Sequence, residues 1–453
     1  MPVEISIYGL ILSSAGLSSQ WLDAYDLRHF WPSSPPDMHS LIAPGPLQGI
    51  RVLDLCQGSE QYCGKLFAQL GADVVLVEPV AGAANRREGP FLGHAAHRER
   101  SLSFAYFNQG KRGIALDLEH SAACEVFLAL VRNADLVIEA EPPGRMGARG
   151  LGAEVLLRAQ PSLVVTSITP FGQDGPFAHF QADDLVALAF GGLLSLGGYP
   201  GLAPTAAYGN QAVLCAAQFA AVASLVALSV AQDQGGRPTG QHIDVSVQES
   251  VTMALENAVQ FVELEQQIRK RNGGEQRQAG TGVFPCSDGM VYLMAGGVAA
   301  NKFWHATTEW LVQGGAPGAE QLREPRWLDA QFLHTEQAKR LFADIFLPFA
   351  ASQTKARLYA EGQRRRIPIC PVSTTADLLQ NRQLAFRQFF EQTTHPYSGA
   401  RFAVPGAPYR LSASPWQLGS AAPRLGEHSC EVLGALGYDH ETQAVLLRAG
   451  AFA

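Results

Sequence analysis

An alternation organises residues 49–247 of this 453-residue chain: a short apolar run, then a segment with helical spacing, then another apolar run. "GIRVLDL" (49–55), "ADVVLVE" (72–78), "GIALDLE" (113–119), "ADLVIEA" (134–140), "SLVVTSI" (162–168) and "HIDVSV" (242–247) read as strands, the first of them a short apolar run. Such a run suits a strand buried on both faces, as in a parallel sheet. The helical spacing falls between them, at 60–71, about 121–132 and 151–160, with Gly71 as a stop signal. The expectation is an α/β fold, a doubly wound Rossmann-like parallel sheet with helices on both faces.

The length calls for two to three folding units. Residues 1–45, with "WPSSPPD", read as an irregular extension, and Met38 is a second candidate start. The large domain is expected over 46–265, a Gly-rich basic linker over 266–282, a smaller α/β domain over 283–370, and a segment over 371–453 that returns to the large domain. "VFPCSDGMVYLM" reads as a hairpin with Asp-Gly at its turn, and a long helix is expected from near Gln248. Near the C-terminus a helix, turn and helix are expected. No Lys or Arg precedes "YGLILSSAGL", so a signal peptide is not expected.

Residues 212–231 have the length of a membrane span. Eight of the twenty are Ala and no basic or aromatic anchors flank them, so a helix against the sheet is expected instead. Lys plus Arg total 34 against 41 for Asp plus Glu, a net charge of -7. That argues against a nucleic-acid surface. Seven scattered cysteines without a CxxC pair suit a reducing cytoplasm and show no zinc pattern. His94 and His97 lack further ligands nearby and read as surface histidines, so no metal is expected.

The first strand–helix–strand unit ends at Glu78, where dinucleotide sites place an acid. Yet its turn is "CQGSEQYCG", with Gly58 and Gly64 six apart, so GxGxxG fails. Neither GxxxxGK[ST] nor GxSxG is present.

Seven further segments, in order, resemble the class III coenzyme A transferase (CaiB/BaiF) family. They are "GIRVLDL…FAQLGADVVLVEP", "NQGKRGIALDLE", "SITPFGQDGPF", "GQHIDVSVQES", "GVFPCSDG", "PVSTTADLLQNRQLAFRQFF" and "PRLGEHSCEVLGALGY". Together they span about residues 46 to 450. The resemblance implies a Rossmann-like domain with a small domain, an interlocked homodimer and an acyl-CoA substrate. It also implies attack on the thioester by an Asp carboxylate, through a mixed anhydride and an enzyme–CoA thioester. Counting back from Leu228 along the Ala-rich helix puts the family's nucleophilic Asp at Val213. Asn210 and Gln211, one turn earlier, are not nucleophiles.

"QADDLVALAFGG" is similar to a segment of the related alpha-methylacyl-CoA racemases. On that register Asp183 stands where the racemase has a catalytic His, Asp184 matches the next Asp, and Glu249 matches a Glu that supports the His. Asp183 and Glu249 are thus a candidate carboxylate pair, in which one acid stays protonated beside a base. The plain alternative is helix capping. For the CoA phosphates the candidates are Arg86, Arg87, Lys111 and Arg112, with Arg145 replacing an Arg that the family has where Pro142 stands. Gly273 and Gly274 match a mobile Gly-rich loop of some transferases or form a plain linker. Three functions stay open: CoA transfer with Asp183 or Asp184 as carboxylate; acid–base isomerisation, elimination or condensation on a thioester; and a non-catalytic acyl-CoA-binding subunit.

Overall fold

The structure is a computed structural model and describes residues 45–233, 239–296 and 301–453. Residues 1–44, on which the N-terminal extension falls, lie outside the described residues. From Gly45 onward the chain forms one compact unit.

Six strands make the main sheet: β1 (Arg51–Asp54), β2 (Asp73–Glu78), β3 (Arg112–Ala115), β4 (Leu136–Glu139), β5 (Val164–Thr169) and β6 (Gln241–Ser246). All pairings are parallel and the order is β3-β2-β1-β4-β5-β6. This is the doubly wound order of the Rossmann fold. Every residue of β4 and β5 is buried, which explains their unbroken apolar runs.

Side chains alternate between two cores. Val52, Leu136, Ile138 and Val164 face a core shared with α1 (Tyr62–Gln69). Leu53, Val75, Val137 and Val165 face the other, with α2 (Ser121–Val131) and α3 (Ala153–Ala159). Gly64 lets α1 approach β1: a Cβ there would sit 2.2 Å from Asp54 Oδ2. Residues 184–190 form α4 (Asp184–Phe190), and the Ala-rich segment forms α5 (Gln211–Asp233).

Helix α5 meets the expectation of a sheet-packed helix on one face only. Ala212, Ala216, Ala217, Ala220 and Ala221 are buried, and Ser224 Oγ lies 2.7 Å from Thr166 Oγ1 on β5. Small side chains allow that close approach. The opposite face exposes Phe219, Val222 and Val226. By length and composition α5 qualifies as a membrane span, yet part of it is built into the sheet core.

The long helix expected from Gln248 is two helices, α6 (Val247–Met253) and α7 (Ala258–Glu265). Glu256 between them has φ 53°, which ends helical geometry without Gly or Pro. The hairpin is present as β7 (Thr281–Cys286) and β8 (Gly289–Met294), joined by β9 (Ile369–Pro371). Its loop is Ser287–Asp288, and Gly289 already pairs with Cys286. This sheet packs on its own core, including Trp304, Trp327, Phe342 and Phe346. The last two helices, α8 (Ser429–Ala435) and α9 (His440–Arg448), are present as expected. Val432 and Leu433 join the main-sheet core, and Phe452 bridges to Leu116.

Lys65 on α1 is buried at 1% exposure, its Nζ 3.2 Å from the centroid of the Tyr106 ring. That nitrogen has no hydrogen-bond partner among the described residues. Burial first, and the Lys111 charge second, lower its pKa to about 7. An unfolded lysine titrates near 10.5. Between these values the unfolded chain binds more protons, so stability rises with pH across the window and levels off below it. Lys65→Met is expected to raise Tm at pH 7.5. It should also flatten the rise of Tm between about pH 7.5 and 9.5, measured by thermal unfolding.

Candidate active site

Open parallel sheets bind ligands beyond the carboxyl ends of the strands, where the strand order reverses. Here that point lies between β1 and β4. A cavity of about 730 Å³ opens there, within the range of small-ligand sites. Its walls come from the loops after β1 (Gly58, Ser59, Glu60), β4 (Ala140 to Pro143) and β5, and from the starts of α4 and α5. Asp183, Asp184, Asn210 and Val213 all line it.

The two neighbouring acids have separate duties. Asp183 caps α4: its Oδ1 accepts the Val186 N–H at 2.9 Å. It is exposed. Asp184 points across to α5, and its Oδ1 accepts the Val213 N–H at 3.1 Å. The backbone of Val213 thus binds a carboxylate that comes from another helix. Burial raises the Asp184 pKa, while the amides of Val213, Ala212 and Gln211 pull the other way. The positive end of a 23-residue helix favours that anion. Asn210 Nδ2 donates to Ser59 Oγ at 2.5 Å, tying the start of α5 to the β1 loop.

Glu249 lies exposed in the first turn of α6 and is not on the cavity wall. Among the described residues no hydrogen bond joins it to Asp183, which does line the cavity. The wall instead carries three acids that sequence reasoning missed: Glu60, Glu88 and Glu141. Burial raises the Glu60 pKa. Glu141 follows the end of β4 by two residues, a signal that could have marked it, whereas Glu60 lies in a turn six residues beyond β1.

The cationic candidates are mostly engaged elsewhere. Lys111 is buried and donates to Asp54 Oδ2, the Gln61 carbonyl and Asn108 Oδ1 at 2.8–2.9 Å. Arg86 is buried against both oxygens of Glu78, at 2.6 and 2.8 Å, and against Glu99. Arg112 pairs with Asp73 and Glu431, and Arg145 with Glu119. Arg87 differs: it is exposed, makes one bond to the Ala81 carbonyl at 3.2 Å, and precedes Glu88 of the wall. Gly273 and Gly274 both have positive φ, and a Cβ on Gly273 would meet the Tyr199 ring at 2.5 Å. The adjacent Arg271 donates to the carbonyls of Ser195, Tyr199 and Leu202. Among the described residues, no group of His, Cys, Asp and Glu is arranged to hold a metal.

A doubly wound sheet with a carboxylate-bearing cavity at its switch point defines an α/β protein with a small-molecule site. The chain belongs to CoA-transferase family III, whose family model matches residues 47–429. It is 41% identical over 402 residues to succinyl-CoA:(R)-benzylsuccinate CoA-transferase subunit BbsE of Thauera aromatica, covering 88% of this chain and 97% of that one. It is 28% identical to succinyl-CoA–D-citramalate CoA-transferase of Chloroflexus aurantiacus, covering 90% of this chain and 98% of that one. A crystal structure of a CAIB/BAIF family protein from Brucella suis superposes with a TM-score of 0.76 at 25% identity, covering 87% of this chain and all of the other. Family membership makes it a CoA-transferase family enzyme acting on acyl-CoA thioesters.

Proposed function

We propose that the chain is a subunit of a cytoplasmic CoA-transferase that moves CoA from succinyl-CoA to a second carboxylic acid, with Asp184 as its carboxylate. One observation carries this reading: the Asp184 carboxylate lies in the switch-point cavity on the backbone N–H of Val213. Asp183 is a poorer candidate because its carboxylate caps its own helix.

The chemistry balances as follows. The Asp184 carboxylate attacks the thioester carbonyl; a C–O bond forms, the C–S bond breaks, and CoA thiolate leaves. The thiolate then attacks the Asp184 carbonyl of the mixed anhydride, which forms enzyme–CoA thioester and releases the donor acid. The acceptor carboxylate reverses both steps and leaves as its CoA thioester. Splitting transfer this way keeps every intermediate acyl-activated. The start of α5 supplies the positive field that holds the attacking carboxylate ionised.

Among the described residues the cavity wall contains no Lys or Arg, so the CoA phosphates lie outside it. Arg87, exposed, bonded to the Ala81 carbonyl and next to Glu88 of the wall, is the cation this chain offers them. Arg87→Ala is expected to weaken CoA binding about tenfold and to reduce its salt dependence, read by calorimetry at two ionic strengths.

A second reading is favoured by Val213 and by the relatives named as subunits. In it the nucleophile comes from a companion chain and this one binds the thioester. The exposed apolar face of α5 suits subunit contact in either case. Intact mass spectrometry of the purified chain mixed with succinyl-CoA decides between them. A covalent CoA adduct on this chain supports the first reading, and its absence while CoA still binds supports the second.

A further inference from the structure

Phe180 on the cavity wall belongs to a cluster of four phenylalanines whose other members stand behind it. Phe171, Phe177 and Phe180 lie in the loop after β5, and Phe190 ends α4. The Phe177 and Phe180 centroids are 5.2 Å apart, and Phe171 meets Phe180 edge-on at 6.5 Å and 89°. Phe190 closes the group at 5.3 Å from Phe171.

Rings packed this closely normally belong to a core. Here Phe177, Phe180 and Phe190 remain 41%, 54% and 49% exposed. Phe180 also lines the cavity, three residues from Asp183 and on the same wall. The rest of the charge on that wall is acidic: Glu60, Glu88, Glu141, Asp183 and Asp184, with no Lys or Arg among the described residues. Such a wall disfavours the anionic end of an acyl-CoA and accepts its neutral thioester and acyl chain. A flat ring on that acyl chain would find the edges and faces of the cluster, which pair with aromatic groups beyond their buried area.

We propose that Phe180, backed by Phe171 and Phe177, selects acyl groups that carry an aromatic ring near the thioester. The assignment rests on the thioester reading above and deepens it. It differs from a subunit seam because Phe180 faces the same cavity as Asp184 rather than a separate surface.

The test compares two thioesters that share CoA and differ only in the ring: 3-phenylpropanoyl-CoA and 3-cyclohexylpropanoyl-CoA. Calorimetric Kd values are measured with the full chain, Phe180→Leu and Phe180→Ala. The wild type is expected to prefer the phenyl compound about fivefold. Both variants should lose that preference while still binding the cyclohexyl compound. Equal affinity in the wild type, or a preference retained in both variants, overturns the assignment. So does a drop in solution mass on substituting Phe180 with the preference intact, which marks a subunit contact. If neither thioester binds the wild type, the thioester reading itself fails, and the ring assignment with it.

Discussion

Asp184→Asn is expected to reduce CoA transfer by at least about a thousandfold while leaving the fold intact. The amide can still accept the Val213 N–H through its carbonyl, so the tie between α4 and α5 survives. What disappears is the anion that attacks the thioester, and removing a nucleophile typically costs several orders of magnitude in kcat. Asp183→Asn, by contrast, should change transfer only modestly, because Asn remains a good helix cap. Comparing the two variants separates chemistry from capping. The pH profile of the wild type carries a second signature. The ionised form is the reactive one, and burial raises its pKa above the ordinary Asp value of 3.8. Activity should therefore fall on the acid side at a higher pH than an unperturbed aspartate would give, with the slope of a single proton.

The largest expected effect on stability is at Lys111. Its ammonium and the Asp54 carboxylate are both fully buried and lie 2.8 Å apart. Lys111→Met leaves Asp54 in the core without its cation, with the Cys56 N–H at 3.0 Å among its remaining donors. Breaking one side of such a pair costs about 3–5 kcal/mol. A pronounced loss of Tm is expected in thermal unfolding. The double variant Asp54→Asn with Lys111→Met should recover part of the loss, because no unpaired charge then remains. The pair also organises the loop that lines the cavity, since Lys111 binds the Gln61 carbonyl. Residual activity should therefore fall along with stability.

These two sites show what was legible in the sequence. The inner strands could be placed because both faces of the sheet are covered there, so β4 and β5 read as nearly continuous apolar runs. Seven ordered segments indicated the family. The break between α6 and α7 was not legible: 247–265 contains no Gly or Pro, yet Glu256 takes a left-handed φ of 53° between the two helices.

The cations were the harder case. Lys111 and Arg86 look like phosphate ligands when read along the chain. Their partners, Asp54 at a separation of 57 residues and Glu78 on the preceding strand, emerge only when the sheet forms. Sequence reports charge and not what neutralises it. The same holds for Asp184. Asp183 and Asp184 were alternatives for one role in the sequence, and the structure turns them toward different helices. The acids of the wall come from separate loops, and nothing along the chain marks Glu60, Glu88 and Glu141 as neighbours of one cavity.

The central claim is that this chain supplies its own carboxylate from Asp184. The direct measurement is to mix the protein with succinyl-CoA, reduce with borohydride, digest, and sequence the peptides by mass spectrometry. Borohydride converts an enzyme–CoA thioester to a primary alcohol at the side chain that carried it. The account predicts that alcohol at position 184. Finding it at another residue, or only on a companion chain, would contradict the account.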